Sequence, residues 1–231
     1  MKRFYKAAEA APVDGGHEVR LDGRPVNTPA KSRLVVPGAA LAAALAEEWN
    51  AQAETIDPDT MPLTQLANTA IDQVARQRNE VIAGVLAYAE TDLLCYRADQ
   101  PESLAERQNA VWQPLLDWAA LTFDAPLTVT RGVLPTRQPQ ASLEAFAQAV
   151  SACDAFRLAG VSHAAGLLGS IVLALALSAG RIGAREAFDA AHLDDLYQQE
   201  LWGEDNEAIV RLDRLRAEIA ATERFLRLLD S

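Results

Sequence analysis

Hydrophobic positions along this chain follow two different spacings. Before Pro37 they come in short bursts punctuated by turn residues: Phe4–Tyr5, His17–Leu21, Arg24–Asn27 and Arg33–Val36. Asp22-Gly23 separates two of these bursts, and it is the residue pair that a two-residue hairpin turn favours. Gly15-Gly16 and Pro29 mark further turns, so the pattern predicts a small antiparallel sheet. After Pro37 the period becomes helical, with Leu41, Leu45 and Trp49 on one stripe. Asp57-Pro58 and Pro62 interrupt it. From there the spacing predicts helices over residues 64–75, 79–94, 102–123, 141–154, 158–179, 183–201 and 205–229. Leu127–Thr130 alternates and reads as extended, and Pro135–Pro139 leads back into a helix starting near Gln140 or Ser142. Ile209, Leu212, Ile219, Leu226 and Leu229 put an apolar stripe on the last helix, to pack on the body or to face a partner. The expected fold is therefore α+β. A small antiparallel β-rich N-terminal domain with one or two helices, residues 1–75, precedes a larger all-helical domain, residues 76–231.

Leu158–Gly180 carries no acid, lysine or arginine, and Ile171–Leu177 is continuously apolar. His163, Ser162, Ser170, Ser178 and the glycines before the densest part argue against a membrane span. A core helix buried on all sides is the expectation, with Ala164, Ala165, Gly166 and Gly169 allowing close backbone approach. His163 then reads as a hydrogen-bonded core residue. Aromatic residues make up only 6% of the chain, so alanine and leucine must supply much of the packing.

A formal charge of −11 opposes a broad phosphate-binding surface and anionic membranes, so neither nucleic acid nor membrane insertion is expected. Cys95 and Cys153 are far apart among apolar residues, the pattern of two buried, reduced thiols. No hydrophobic segment of signal-peptide type follows the Met-Lys-Arg-Phe-Tyr-Lys start.

The P-loop pattern is absent, because Gly166, Gly169 and Ser170 have no lysine beside them. Ser162 and His163 are adjacent, so on a helix their side chains diverge by about 100°. Asp189 and His192 have the spacing of half a di-iron site, but no second such pair occurs. Neither a metal nor a cofactor is expected, and no catalytic residue is assigned. What stands out is acidic: Glu186, Asp189, Asp194, Asp195, Glu200, Glu204, Asp205 and Glu207 follow one another with no lysine or arginine between them. Trp202-Gly203 sits inside that run. A solvated helix face explains some of it, and Glu204 and Asp205 suit the start of the last helix. On a 183–201 helix, Ala190, Leu193, Tyr197 and Leu201 share one face; Phe188, His192, Asp195 and Gln199 lie roughly opposite.

Several stretches in order resemble one family. They are Leu21–Pro29 (LDGRPVNTP), Glu48-Trp49, Ile56–Asp72, Thr91–Ala98 (TDLLCYRA), Trp112–Trp118, Gly169-Ser170 and Tyr197–Ala208 (YQQELWGEDNEA). The chain is similar across nearly its whole length to the assembly chaperones of the alpha subunit of the F-type ATP synthase. That resemblance implies a β-rich domain followed by a helical one and chaperone action without nucleotide. The implied partner is the alpha subunit before it joins beta. The implied partner-binding residues are Asp194, Asp195, Glu200, Trp202, Glu204 and Asp205. A monomer in the bacterial cytoplasm is expected, or in the mitochondrial matrix for a processed eukaryotic form. An unrecognised small hydrolase, or a general holdase or scaffold, is the alternative.

Overall fold

A computed structural model describes residues 1–132, 134–203 and 206–231. Strands β1 (Ala8–Val13), β2 (Gly16–Leu21), β3 (Arg24–Pro25) and β4 (Val35–Val36) form an antiparallel sheet. Helices follow: α1 (Ala39–Asn50), α2 (Pro62–Thr69, continued by a π-helical turn to Val74) and α3 (Arg78–Glu90). After β5 (Tyr96–Arg97) comes the long α4 (Glu102–Phe123), then β6 (Thr130–Arg131) and α5 (Gln140–Ser151). The chain ends with α6 (Ala155–Leu168), α7 (Ile171–Ser178), α8 (Ala184–Ala191), α9 (Leu193–Trp202) and α10 (Asn206–Leu228). The α+β class holds, and the helical part also contains one parallel ladder, β5 on β6.

Two compact units emerge. The first comprises Met1–Arg78, Asp154–Gly160 and Ala221–Ser231; the second comprises Asn79–Cys153 and Val161–Ala220.

In the first unit, Asp22 and Gly23 adopt left-handed backbone (φ 49° and 78°), which lets the two-residue turn follow the strand twist. The Asp22 carboxylate accepts the Lys6 and Ala7 N–H groups at 3.0–3.1 Å. Those hydrogen bonds hold its pKa below the usual aspartate value. Residues 8–13 were not expected to be a strand. Alanine and proline have little intrinsic preference for sheet, and pairing with β2 supplies what propensity does not. The Asn50 side chain completes the edge by bonding both the N–H and C=O of Ala8 at 2.8 Å. Val19, Leu21, Val26, Leu34 and Val36 turn inward onto Leu41 and Leu45 of α1, the stripe predicted by spacing. Glu48 caps α2 from outside, accepting the N–H groups of Leu63 and Thr64 and the Thr64 hydroxyl at 2.7–2.8 Å. Asp72 accepts Thr28 Oγ1 (2.7 Å) and the Ala30 N–H (2.9 Å).

Within the same unit, Gly160 of α6 faces Leu226 and Phe225 of α10. A methyl group there would stand 2.6 Å from Leu226 Cδ2. Overpacking of that kind costs about 1–3 kcal/mol, so Gly160→Ala is expected to lower stability by that amount in urea unfolding. An unchanged midpoint would mean that Leu226 moves aside freely.

In the second unit the segment expected as one helix, residues 158–179, is two. Gly169 takes φ 63°, and Ser170 caps α7 by accepting the Leu173 N–H at 3.0 Å. Every residue from Ile171 to Leu177 is buried, as expected of a core helix, whereas His163 on α6 is exposed instead of buried. Asp92, wholly buried, joins two distant segments. Its carboxylate accepts the Leu94 N–H (2.9 Å), Ser170 Oγ (2.9 Å) and the Val172 N–H (3.1 Å). Trp112, on the buried face of α4, donates Nε1–H to the Ala190 carbonyl at 2.8 Å, and the Arg97 guanidinium lies 5.1 Å above its ring.

Candidate partner-binding surface

The expected 183–201 helix also divides, at His192 (φ −108°, ψ 24°) between α8 and α9. No glycine or proline marks the break. The two opposed faces expected of an unbroken helix are therefore replaced by one face for each segment. Ala187, Phe188 and Ala190 bury the inner side of α8, and Leu193 anchors the start of α9.

What fastens α9 is mostly its own acidity and one phenol. Gln108 of α4 donates to Asp194 Oδ1 at 2.8 Å. Ser103 and Tyr197 share a hydrogen bond at 2.7 Å. Arg107 makes a two-pronged pair with Glu200 at 2.7 and 2.9 Å, and its hydrogen bonds hold the glutamate below its usual pKa. Asp195 receives Arg211 of α10 at 3.2 Å and stands 3.4 Å from His192 Nδ1. Burial lowers the His192 pKa, against the pull of Asp195. Exposed pairs of this kind contribute about 0–1 kcal/mol each. Their combined effect is orientation: α9 lies against α4 with its first two turns tied down.

Asp194, Asp195 and Glu200 are thus all in use within the chain. Trp202 is not. It ends α9 with 86% of its surface exposed, next to the exposed Leu201, and Gly203 closes the helix with φ 88°. Val210 on α10 is exposed as well. Glu204 and Asp205 lie outside the described residues. A tryptophan on open surface exposes the largest apolar side chain to water, and such residues are typical contact anchors. Sequence reasoning named Trp202 but could not distinguish it from its acidic neighbours, because their partners, Arg107 and Gln108, come from a remote part of the chain.

Reactive chemistry is muted elsewhere. Burial, with the nearby Asp92 charge, pushes the Cys95 thiol up to about 12, which suppresses its thiolate at neutral pH; Cys153, expected to be buried as well, is half-buried near the end of α5. A cleft of about 570 Å³ in the first unit is lined by Met1, Phe4, Tyr5, Arg24 and Trp49 among others; its one carboxylate, Asp22, already holds two backbone N–H groups. No three His, Cys, Asp or Glu side chains converge among the described residues.

An α+β fold that holds a helix by polar ties and ends it in an open tryptophan has the build of a binding factor. Comparison with known proteins carries this further. A family model described as ATP12 chaperone protein matches residues 2–120, more than half of the chain. The crystal structure of Atp12 from Paracoccus denitrificans superimposes with a TM-score of 0.93 at 42% identity, covering 99% of this chain and 98% of that one. A solved Agrobacterium tumefaciens protein gives 0.92 at 41% identity, over 100% and 85% of the two chains. The mitochondrial protein atp12 of Schizosaccharomyces pombe is 24% identical over 218 residues, 87% of this chain and 74% of that protein. The chain belongs to the ATP12 chaperone family.

Proposed function

We infer that this protein is an assembly chaperone of the F-type ATP synthase that holds the unassembled alpha subunit until beta replaces it. Family membership supports the chaperone role. The observation that carries the binding surface is Trp202, fully presented at the tip of a helix whose carboxylates are turned to structural use. An unpaired alpha subunit exposes an apolar interface, and exposed apolar interfaces drive self-association. Covering such a surface needs apolar contact and no nucleotide, provided affinity stays low enough for beta to compete.

In this reading Trp202, with Leu201, touches the client. Asp194, Asp195 and Glu200 set the helix in place. Net charge of −11 steers a complementary client toward the surface and speeds encounter more than it tightens the complex. The site of action is wherever the client first appears: the cytoplasm in a bacterium or the matrix in a mitochondrion. Among the described residues no helix is long and apolar enough to cross a membrane.

The test is direct. Purified alpha subunit is expected to co-elute with this protein and to scatter less light on standing. Trp202→Ala is expected to weaken the complex roughly 30-fold, the effect of losing an interface anchor, with unchanged thermal unfolding. If native alpha subunit neither co-elutes nor aggregates more slowly, the client assignment is wrong.

A further inference from the structure

We propose that α4 carries a second docking strip, continuous with α9, which accepts an amphipathic helix of cationic border from the client protein. This rests on reading α9 as the client-binding helix.

The strip is written in the spacing of α4. Ser103, Arg107, Val111, Pro114, Trp118 and Leu121 follow at intervals of four, four, three, four and three, so all fall on one side of the helix. The opposite side is the buried one, with Leu104, Ala105, Gln108, Trp112, Leu115, Leu116 and Ala119. The outward side of such a helix is ordinarily polar. Here its second half is apolar: Leu121 is 88% exposed, Val111 and Pro114 are exposed, and Trp118 is half-buried. Trp118 is held edge-on to Phe123, with ring centroids 5.3 Å apart, so the strip has a fixed shape.

The first half of the row shows what fits it. Ser103 and Arg107 carry α9, through Tyr197 at 2.7 Å and Glu200 at 2.7 Å. α9 thus meets the row at Ser103 and Arg107. Beyond that point Val111, Pro114, Trp118 and Leu121 keep the three-four spacing with which helices pair. A second helix is the matching occupant.

The border sets the sign of the partner. Glu106 and Asp117 flank the strip, and Asp124 lies past its end. Gln113 is hydrogen-bonded to Asp117 at 2.8 Å and brings no charge. Arg107 is the one cation in α4, and its charge is taken up by Glu200. An incoming helix with lysine or arginine beside its apolar seam is complementary, whereas a second copy of this chain would set acid against acid.

Photo-crosslinking separates the outcomes. Benzoylphenylalanine is placed in the full chain at Leu121 or, separately, at Trp202, and purified alpha subunit is the probe. Crosslinks from both positions are expected. A crosslink from 202 alone overturns the strip and leaves the client reading intact; one from 121 alone removes α9 from the interface and overturns the proposal, which rests on it. Crosslinks only between copies of this chain identify a dimer seam instead and overturn the proposal. No crosslink at either position, with no co-elution, removes the client as well. Leu121→Lys is the affinity counterpart: because the residue is exposed, melting should be unchanged while binding falls about tenfold or more. The same variant is also titrated against a synthetic helix with a leucine seam and lysine borders, which reads the strip without the client. Equal affinity of native and variant protein for that helix would overturn the proposal.

Discussion

Trp112→Ala is expected to destabilise the helical unit by about 3–5 kcal/mol, the usual cost of emptying a buried tryptophan site. The ring is 1% exposed, on the inward side of α4. Its loss removes more than apolar contact. The Ala190 carbonyl at the end of α8 loses its 2.8 Å donor, and the buried Arg97 guanidinium loses the π-face beneath it. Arg97 has few substitutes: Asn109 accepts its Nε at 2.8 Å, the Leu94 carbonyl accepts Nη1, and Nη2 is buried without a partner among the described residues. Trp112→Phe keeps most of the volume and deletes the N–H, so about 1–2 kcal/mol is expected from the orphaned carbonyl. Urea unfolding followed by far-UV circular dichroism measures both variants without relying on the remaining tryptophans. A loss below about 1 kcal/mol for Trp112→Ala would show that α8 is held mainly by other contacts.

Asp92 supplies the second large effect, and a pH signature. Its carboxylate takes the Leu94, Val172 and Ser170 donors in a fully buried site, with the Ile171 N–H also turned to it, so Asp92→Ala leaves the Leu94 and Val172 N–H groups and the Ser170 hydroxyl without that acceptor. At about 1–3 kcal/mol for each unsatisfied buried group, a loss of at least about 3 kcal/mol is expected. Burial also raises the carboxyl from 3.8 to about 6, against the downward pull of those same donors. The folded chain therefore holds this proton more tightly than the unfolded chain. Stability from this source is full below the unfolded value of 3.8 and is lost as pH rises through about 6. At about 1.4 kcal/mol per unit, the swing is about 3 kcal/mol. Asp92→Asn does not titrate, so the difference in unfolding free energy between native protein and variant isolates the effect. That difference should shrink by about 2 kcal/mol between about pH 4 and pH 7, most of the full swing. A flat difference across that range would refute the raised carboxyl.

Local signals carried far in the first unit. Asp22-Gly23 named its hairpin because left-handed backbone at both turn positions is a property of those two residues. The Leu41, Leu45, Trp49 stripe named α1 because a helix period needs nothing beyond the helix. The Ser170 break was available too: a serine before an apolar run is a cap, but the length of the run concealed it. Strand β1 was invisible because Ala8–Val13 owes its shape to β2 and Asn50, both elsewhere in the chain.

At the candidate surface the division is sharper. The acidic run and its tryptophan were legible as a feature, and the family resemblance pointed to the same place. Composition and period thus determined an α+β protein with an apolar central helix and a conspicuous acidic C-terminal stretch. Which of those acids were free to meet a partner was a matter of where Arg107, Gln108 and Arg211 came to rest, and charge pairs act over a few ångströms whatever their separation along the chain. Exposure follows the same logic. Trp202 and Leu121 have the composition of core residues, and only the packed fold left both on the outside.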